Sequence, residues 1–329
     1  MIEQTVTEKL LNLIKEKGIF SEYLPDNFNL NSDSINIYGA GASHKDKVEP
    51  YSYFMSRFGK AGDRRMISIP EVASYVSLIN FLRDNKDILV DIIQISGNDY
   101  NSFSRIANEE HEIIDVDNIY GDGIGGVSLT INDSTENQEE ERERSIYVEN
   151  MLHKIQMTRG ASGILHIDIS EFYKSIYTHT LSAIKLGIDG AKGAFLRDSL
   201  DENYRKYVAL DDRIRRLNGA RTNGILVGPY MSRIISEAIL ARVDIELRES
   251  GFTFVRYADD YEIAIYKEED LEDIKSKLVA IFERYSFRIN NEKTTYEKYP
   301  FYMFSNYEQI IRRLVGKDKK IDSVEIVEL

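Results

Sequence analysis

The 329-residue chain contains no cysteine. Disulfides and thiolate metal sites are thereby excluded, and the composition suits a reducing compartment. Its five histidines are scattered and spell no zinc-binding pattern. No apolar run approaches the roughly 20 residues that a membrane helix needs. The opening "MIEQTVTEKLLNLIKEKG" reads as an amphipathic helix, not a charged stretch leading into an apolar one, so no membrane partner is expected. Positive charge is also short: the formal net charge is −13. That argues against gripping long nucleic acid through the overall field of the molecule. A local basic channel stays open. Arg57, Lys60, Arg64 and Arg65 form one basic cluster, and Arg213, Arg215, Arg216 and Arg221 form another. Solvated surface charge is the competing reading of each.

What is present is a core. With 42% hydrophobic and 11% aromatic residues, the chain can build two subdomains or one elaborated domain. Residues 1–17 are predicted helical, with Leu10, Leu11, Leu13 and Ile14 on one side. "RRMISIP" (64–70) reads as a short strand that stops at Pro70. Residues 71–93 carry Val72, Tyr75, Val76, Ile79 and Leu82 at helical spacing and are expected to form one helix. Residues 115–145 read as an exposed, flexible polar insertion. Within it "GDGIGG" (121–126) spells a dinucleotide-binding pattern, but no strand precedes it, so a loop is expected. Beyond a helix ending near Arg159, the strand "ILHIDIS" (164–170) leads into a helix over "FYKSIYTHTLSAIKLG". A further helix begins after Gly228, then a hairpin, a helix over 267–287, and a return to the sheet in "RINNEKTTYEKY". This order predicts an α+β fold whose antiparallel sheet is ferredoxin-like and packed on helices.

The hairpin "FVRYADDYEIAIY" (254–266) sets Asp259 and Asp260 side by side among strand-forming residues. Asp168 falls near the end of the strand at 164–170. A carboxylate at a strand end can approach a neighbouring hairpin tip, and the repulsion is tolerable when a divalent cation neutralises it. Oxygen donors without Cys or His suit Mg²⁺, and a pair of such ions suits in-line phosphoryl transfer. Three structural turn aspartates are the competing reading.

"YADD" (257–260) resembles the catalytic box of reverse transcriptases. "HIDISEFYKSIYTHTL" (166–181) resembles their first aspartate motif, "NGILVGPYMSRIISEAIL" (223–240) the glycine motif between the two, and "INNEKT" (289–294) the lysine motif that follows. The resemblance covers about residues 50–310. Within that family, "DISEFYKSIYTH", "IFSEYLPDNF" and "RRMISIP" look like the bacterial abortive-infection and defence-associated enzymes.

The resemblance implies fingers and palm. The N-terminal extension and fingers would occupy residues 1–160 and the palm 161–310, with an embedded fingers segment near 190–222. Residues 311–329 would be a tail without a thumb. The helical C-terminal domain of such relatives would then be truncated away, supplied by a separate partner chain, or dispensed with in a compact variant. Two Mg²⁺ ions are implied, with Mn²⁺ as substitute. The substrates would be dNTPs and the product DNA, made in antiphage defence in the bacterial cytoplasm by a homo-oligomer. Some members synthesise without a template from a protein hydroxyl, which would leave DNA covalently attached to protein. Use of an RNA template is open, so a conventional RNA-directed polymerase is the alternative, and a catalytically silent palm serving oligomerisation or sensing is a third. Tyr38, Tyr51 and Tyr53 are among many possible priming hydroxyls.

Carried over residue by residue, Asp168 and Asp259 would be the shared metal ligands, Asp260 would assist, and Ile169 would lend its carbonyl. Tyr173 matches a steric gate against the ribose 2′-hydroxyl, with an ordinary core aromatic as its rival. Arg64 and Arg65 match residues that hold the triphosphate. Lys293 matches the lysine at the leaving pyrophosphate. Gly224 and Gly228 flank the middle motif, but Leu226 and Val227 replace the family's Pro and Gln. The Gln helps position the templating nucleotide, so its loss speaks against templated copying. Ser232 keeps its expected position, Arg233 stands where many relatives have proline, and His179 is expected to buttress the helix after Asp168.

Overall fold

The computed structural model describes residues 2–21, 30, 47–56, 64–108, 113, 150 and 153–301. The insertion at 115–145 with its "GDGIGG" motif, the tail at 311–329, and Arg57, Lys60 and Tyr38 lie outside the described residues.

Among the described residues, two sheets organise the chain. Strands β1 (Tyr51–Ser56) and β2 (Arg64–Ile69) pair antiparallel as a separate ribbon. Strands β3 (Gly163–Asp168), β4 (Phe254–Tyr257), β5 (Asp260–Ile265) and β6 (Thr295–Lys298) form an antiparallel sheet in the order β4-β5-β3-β6. Alternation along β3 sorts its two faces. Leu165 and Ile167 enter the main core with Tyr261, Ile263 and Ile265 of β5. Ile164 joins Ala161, Ala264 and Phe301 in a small cluster on the other face, and the period of two puts His166 and Asp168 on that second face.

The core-side face packs on helices. α1 (Ile2–Lys17), α2 (Val72–Asp84) and α3 (Lys86–Gly97) come from the N-terminal third. α4 (Phe172–Ser175), α5 (Ala183–Leu196) and α6 (Glu202–Leu217) follow β3. α7 (Tyr230–Glu249) and α8 (Leu271–Arg284) lie further along the chain. α7 is the spine: every residue from Tyr230 to Ala241 is buried, as a helix packed on all sides requires. It touches α1, α3, α5 and α8. Its first turn is capped by backbone alone. The Tyr230 and Met231 N–H groups donate to the carbonyls of Phe20 and Gly18 at 2.8 and 3.0 Å, satisfying donors that a helix start leaves open.

Two helices predicted from periodicity are each broken. Residues 71–93 form α2 and α3 because Asn85 (φ −128°, ψ 58°) folds back, its side-chain amide donating to the Phe81 carbonyl at 2.9 Å. Glu71 caps α2 by accepting from the N–H groups of Ala73 and Ser74. The stretch after Asp168 breaks for a tertiary reason. The Gly224 N–H donates to the Ile176 carbonyl at 2.9 Å, and the Thr178 N–H donates to the Thr222 carbonyl at 3.0 Å. These bonds hold Ile176 and Tyr177 extended, so α4, a 3₁₀ turn at Thr178–Ser182 and α5 replace a single helix. β1 and α6 were not singled out by the sequence pattern.

Candidate active site

In the β3–β5 ladder Asp168 stands directly opposite Asp260. Directly opposed residues of an antiparallel pair have Cα atoms about 4.5–5.5 Å apart. Asp259 lies in the two-residue turn that joins β4 to β5, where Tyr257 pairs with Asp260. Two segments far apart in the chain therefore bring three aspartates to one end of the sheet.

Their electrostatics record the crowding. Asp260 is pushed up to about 6, by partial burial first and then by the Asp259 and Asp168 carboxylates, although one side of it stays open to solvent. Burial also raises Asp259, and Asp168 adds to the rise. Its own backbone N–H, Arg65 and Lys293 pull the other way.

Asp168 itself is buried and already partnered. The Lys293 ammonium sits 2.6 Å from its Oδ1, and the Asn290 side-chain amide donates to it at 3.3 Å. The loop that carries these two groups is fastened to β3 by backbone: the Asn290 N–H donates to the Asp168 carbonyl at 2.8 Å, and Ile169 bridges Ile289. Asp168 also raises Lys293, chiefly through that hydrogen bond. Among the described residues no three acidic or histidine side chains already form a cluster that could hold a metal ion. The donor chemistry nevertheless fits a hard divalent cation, since three converging carboxylates repel one another and a cationic group is already drawn to one of them.

The remaining sequence candidates divide. Arg65 is half-buried and near enough to draw Asp259 down, whereas Arg64 is exposed and lies opposite Ser56 at the ribbon's far end. Phe172, not Tyr173, is the buried aromatic: it packs on Phe287 at 5.4 Å, and Tyr173 stays half-buried against the Phe172 ring. Ile169 has its side chain in the core. His179 hydrogen-bonds Asp211 of α6 at 2.6 Å, so it ties the 3₁₀ turn to α6. The second basic cluster is engaged inside the chain: Arg215 and Arg216 pair with Asp212, Arg221 with Glu49, and Arg213 lies over the Phe81 ring at 4.1 Å.

Gly228 has a definite structural task. Its φ is +119°, and a Cβ there would meet Ile67 Cγ2 at 2.3 Å. The adjoining Val227 carbonyl accepts from the Ser68 N–H at 2.9 Å. The absent side chain thus lets β2, and Arg65 with it, close onto the loop before α7. Gly228→Ala is expected to lose roughly 2–4 kcal/mol, combining strain at a glycine conformation with overpacking. A urea-denaturation series checks this.

Sequence reasoning missed a buried polar network behind the hairpin. Arg256 is fully buried and donates from Nε to Asp244 at 2.6 Å, from Nη1 and Nη2 to Glu237 at 2.9 and 2.8 Å, and from Nη2 to Asp99 at 3.1 Å. Tyr261 donates to Asp244 at 2.9 Å, and Arg248 to Asp99 at 2.6 Å. Burial pushes Glu237 up, but the Arg256 charge and hydrogen bonds from Arg256 and Ser102 outweigh it and leave the carboxyl lowered. Asp244 ends raised, by burial first and with the Asp99 carboxylate adding to it, against the pull of Arg256. The signal was in the sequence: a charged residue inside "FVRY", and Glu237 and Asp244 seven apart, two turns along one face of the same helix.

No curated protein matches the chain. Among solved structures, apo telomerase from Candida tropicalis is similar at 11% identity and a TM-score of 0.42, over 91% of this chain and 49% of that one. The same telomerase truncated from its C-terminal domain gives 15% and 0.41, over 84% and 58%. Telomerase from Candida albicans in complex with a TWJ fragment of telomeric RNA gives 12% and 0.39, over 91% and 47%. The chain spans about half the length of these structures. The family described as "Reverse transcriptase (RNA-dependent DNA polymerase)" matches residues 127–309. That span is more than half of the chain and takes in β3 to β6 with the three aspartates at their common end. The chain belongs to the reverse transcriptase family.

Proposed function

We propose that the chain is a metal-dependent nucleotidyltransferase that joins deoxynucleoside triphosphates into DNA. The observation that carries this reading is the register opposing Asp168 to Asp260, with Asp259 in the intervening turn. Asp168, Asp259 and Asp260, with the Ile169 carbonyl, would hold Mg²⁺ as two ions, or Mn²⁺ in its stead. When bound, such ions neutralise the carboxylates and supply Lewis acidity toward phosphoryl oxygens. The chain's own groups do the rest. Lys293, released from Asp168, is free to meet the charge of the departing pyrophosphate. Arg65, carried on β2 and near enough to draw Asp259 down, would pair with triphosphate oxygens, and Arg64 would extend that basic edge. Gly228 keeps this ribbon close. The half-buried Tyr173 ring would crowd a ribose 2′-hydroxyl and so favour deoxynucleotides.

The finer reading is a template-free, protein-primed polymerase of antiphage defence, acting as a homo-oligomer in the bacterial cytoplasm, with any helical domain supplied by a partner chain. Leu226 and Val227, standing in place of Pro and Gln, support the template-free part. Purified protein given Mg²⁺ and dNTPs, with no template, is expected to build polymer attached to itself. Mass spectrometry would then locate the nucleotide-bearing residue. Product that forms only with added primer and RNA template would replace this with conventional RNA-directed synthesis. No product under either condition would favour the silent palm.

A further inference from the structure

The tandem aspartates sit on a turn whose first central residue, Ala258, has φ +51°. Two-residue hairpin turns usually give a positive-φ position to glycine, because a Cβ is disfavoured there. Something must hold an alanine in that conformation. Its two backbone polar groups are both taken by side chains, one from far upstream in the chain and one from β4 itself. The Ala258 N–H donates to Ser104 Oγ at 2.9 Å, and the Ala258 carbonyl accepts from Arg256 Nη1 at 3.0 Å.

Each clamp is itself anchored. The buried Ser104 hydroxyl donates to Glu237 Oε2 at 3.0 Å, so a single oxygen links the turn to α7. Arg256 reaches the same carboxylate. The segment that carries Ser104 runs along the edge of β4: Ser102 forms a parallel bridge with Arg256, the Arg256 N–H donates to the Asn101 carbonyl, and the Phe103 N–H donates to the Arg256 carbonyl, both at 2.8 Å. A loop following α3, more than 150 residues upstream, thus reaches the turn that carries the paired aspartates.

We propose that Ser104 and Arg256 are positioning residues that fix the stance of Asp259 and Asp260 by clamping both backbone groups of Ala258. The consequence for ion binding rests on the proposed role of those aspartates; the clamping itself does not. Neither residue touches substrate. They act through the turn, as partners one step behind a ligand act at metal sites, where their loss typically costs about 10–100-fold in affinity or activity.

Ser104→Val and Ser104→Thr give the test. They share the added methyl, so the difference between them isolates the hydroxyl. The full chain is examined by amide exchange over residues 256–260, by Mn²⁺ binding followed by electron paramagnetic resonance, and by kcat and KM for dNTPs. Ser104→Val is expected to exchange faster in this segment than Ser104→Thr, to bind Mn²⁺ about 10–100-fold more weakly, and to lose kcat with little change in KM. Ser104→Thr should stay near the wild type in exchange and in Mn²⁺ affinity. Equal exchange in the two variants overturns the clamp, and faster exchange with unchanged Mn²⁺ affinity overturns its consequence for the aspartates. Asp259→Asn serves as the separate control. If that variant binds Mn²⁺ as the wild type does, the ligand role of the aspartates fails, while the exchange comparison still decides the clamp.

Discussion

Asp259→Asn is expected to abolish nucleotide transfer while leaving the fold as stable as before, or more so. A bound metal ion contributes several kcal/mol to phosphoryl transfer. Losing about 5–6 kcal/mol of that is a drop of roughly 10⁴-fold, at ~1.4 kcal/mol per tenfold. The stability half of the expectation follows from the crowding at the sheet end. Asp168 and burial both raise Asp259, and Asp259 in turn raises Asp260. Removing one charge relieves that repulsion. A primer-extension or self-labelling assay beside a thermal melt reads both halves. Loss of activity with a lower melting temperature would point to a structural aspartate instead.

Arg256→Ala carries the largest expected effect on folding. The guanidinium is shared by Glu237, Asp244 and Asp99, and Arg256, Asp244 and Asp99 are wholly buried. Removing one partner of a buried charge pair typically costs about 3–5 kcal/mol, because the other is left without compensation. Here the guanidinium reaches three carboxylates, of which Asp99 also holds Arg248, so the upper end of that range is expected. The midpoint of urea unfolding should fall accordingly. Ser104→Val, which leaves all the charges in place, should move it much less. A midpoint unmoved by Arg256→Ala would mean that the carboxylates find other partners.

The two variants mark what could be read from the chain and what could not. "YADD", "HIDIS" and "INNEKT" predicted the convergence of Asp168, Asp259, Asp260 and Lys293, and the ladder and the Lys293 ion pair bring these side chains together. Strand-forming residues around two adjacent carboxylates are a local pattern, so a linear reading detects them. The alternation in β3 and the apolar spacing of α1, α7 and α8 were legible for the same reason. The breaks at Asn85 and at residues 176–177 were not. The first depends on a side chain choosing its own backbone, the second on pairing with a segment some 45 residues away. Composition likewise could not separate Arg65 from Arg64, since strand alternation turns only one of two adjacent arginines toward the site. Arg256, Glu237, Asp244 and Ser104 were each visible as letters. Their joint purpose exists only once α7, β4 and the loop after α3 are stacked.

The most direct measurement is an anomalous-scattering map of crystals grown with Mn²⁺ and a non-hydrolysable dNTP. Peaks about 2.1 Å from the carboxylate oxygens of Asp168 and Asp259, with the Lys293 ammonium drawn off Asp168 toward the triphosphate, are the expected result. A triphosphate bound elsewhere, or an Asp168–Lys293 pair still closed with no metal beside it, would contradict it.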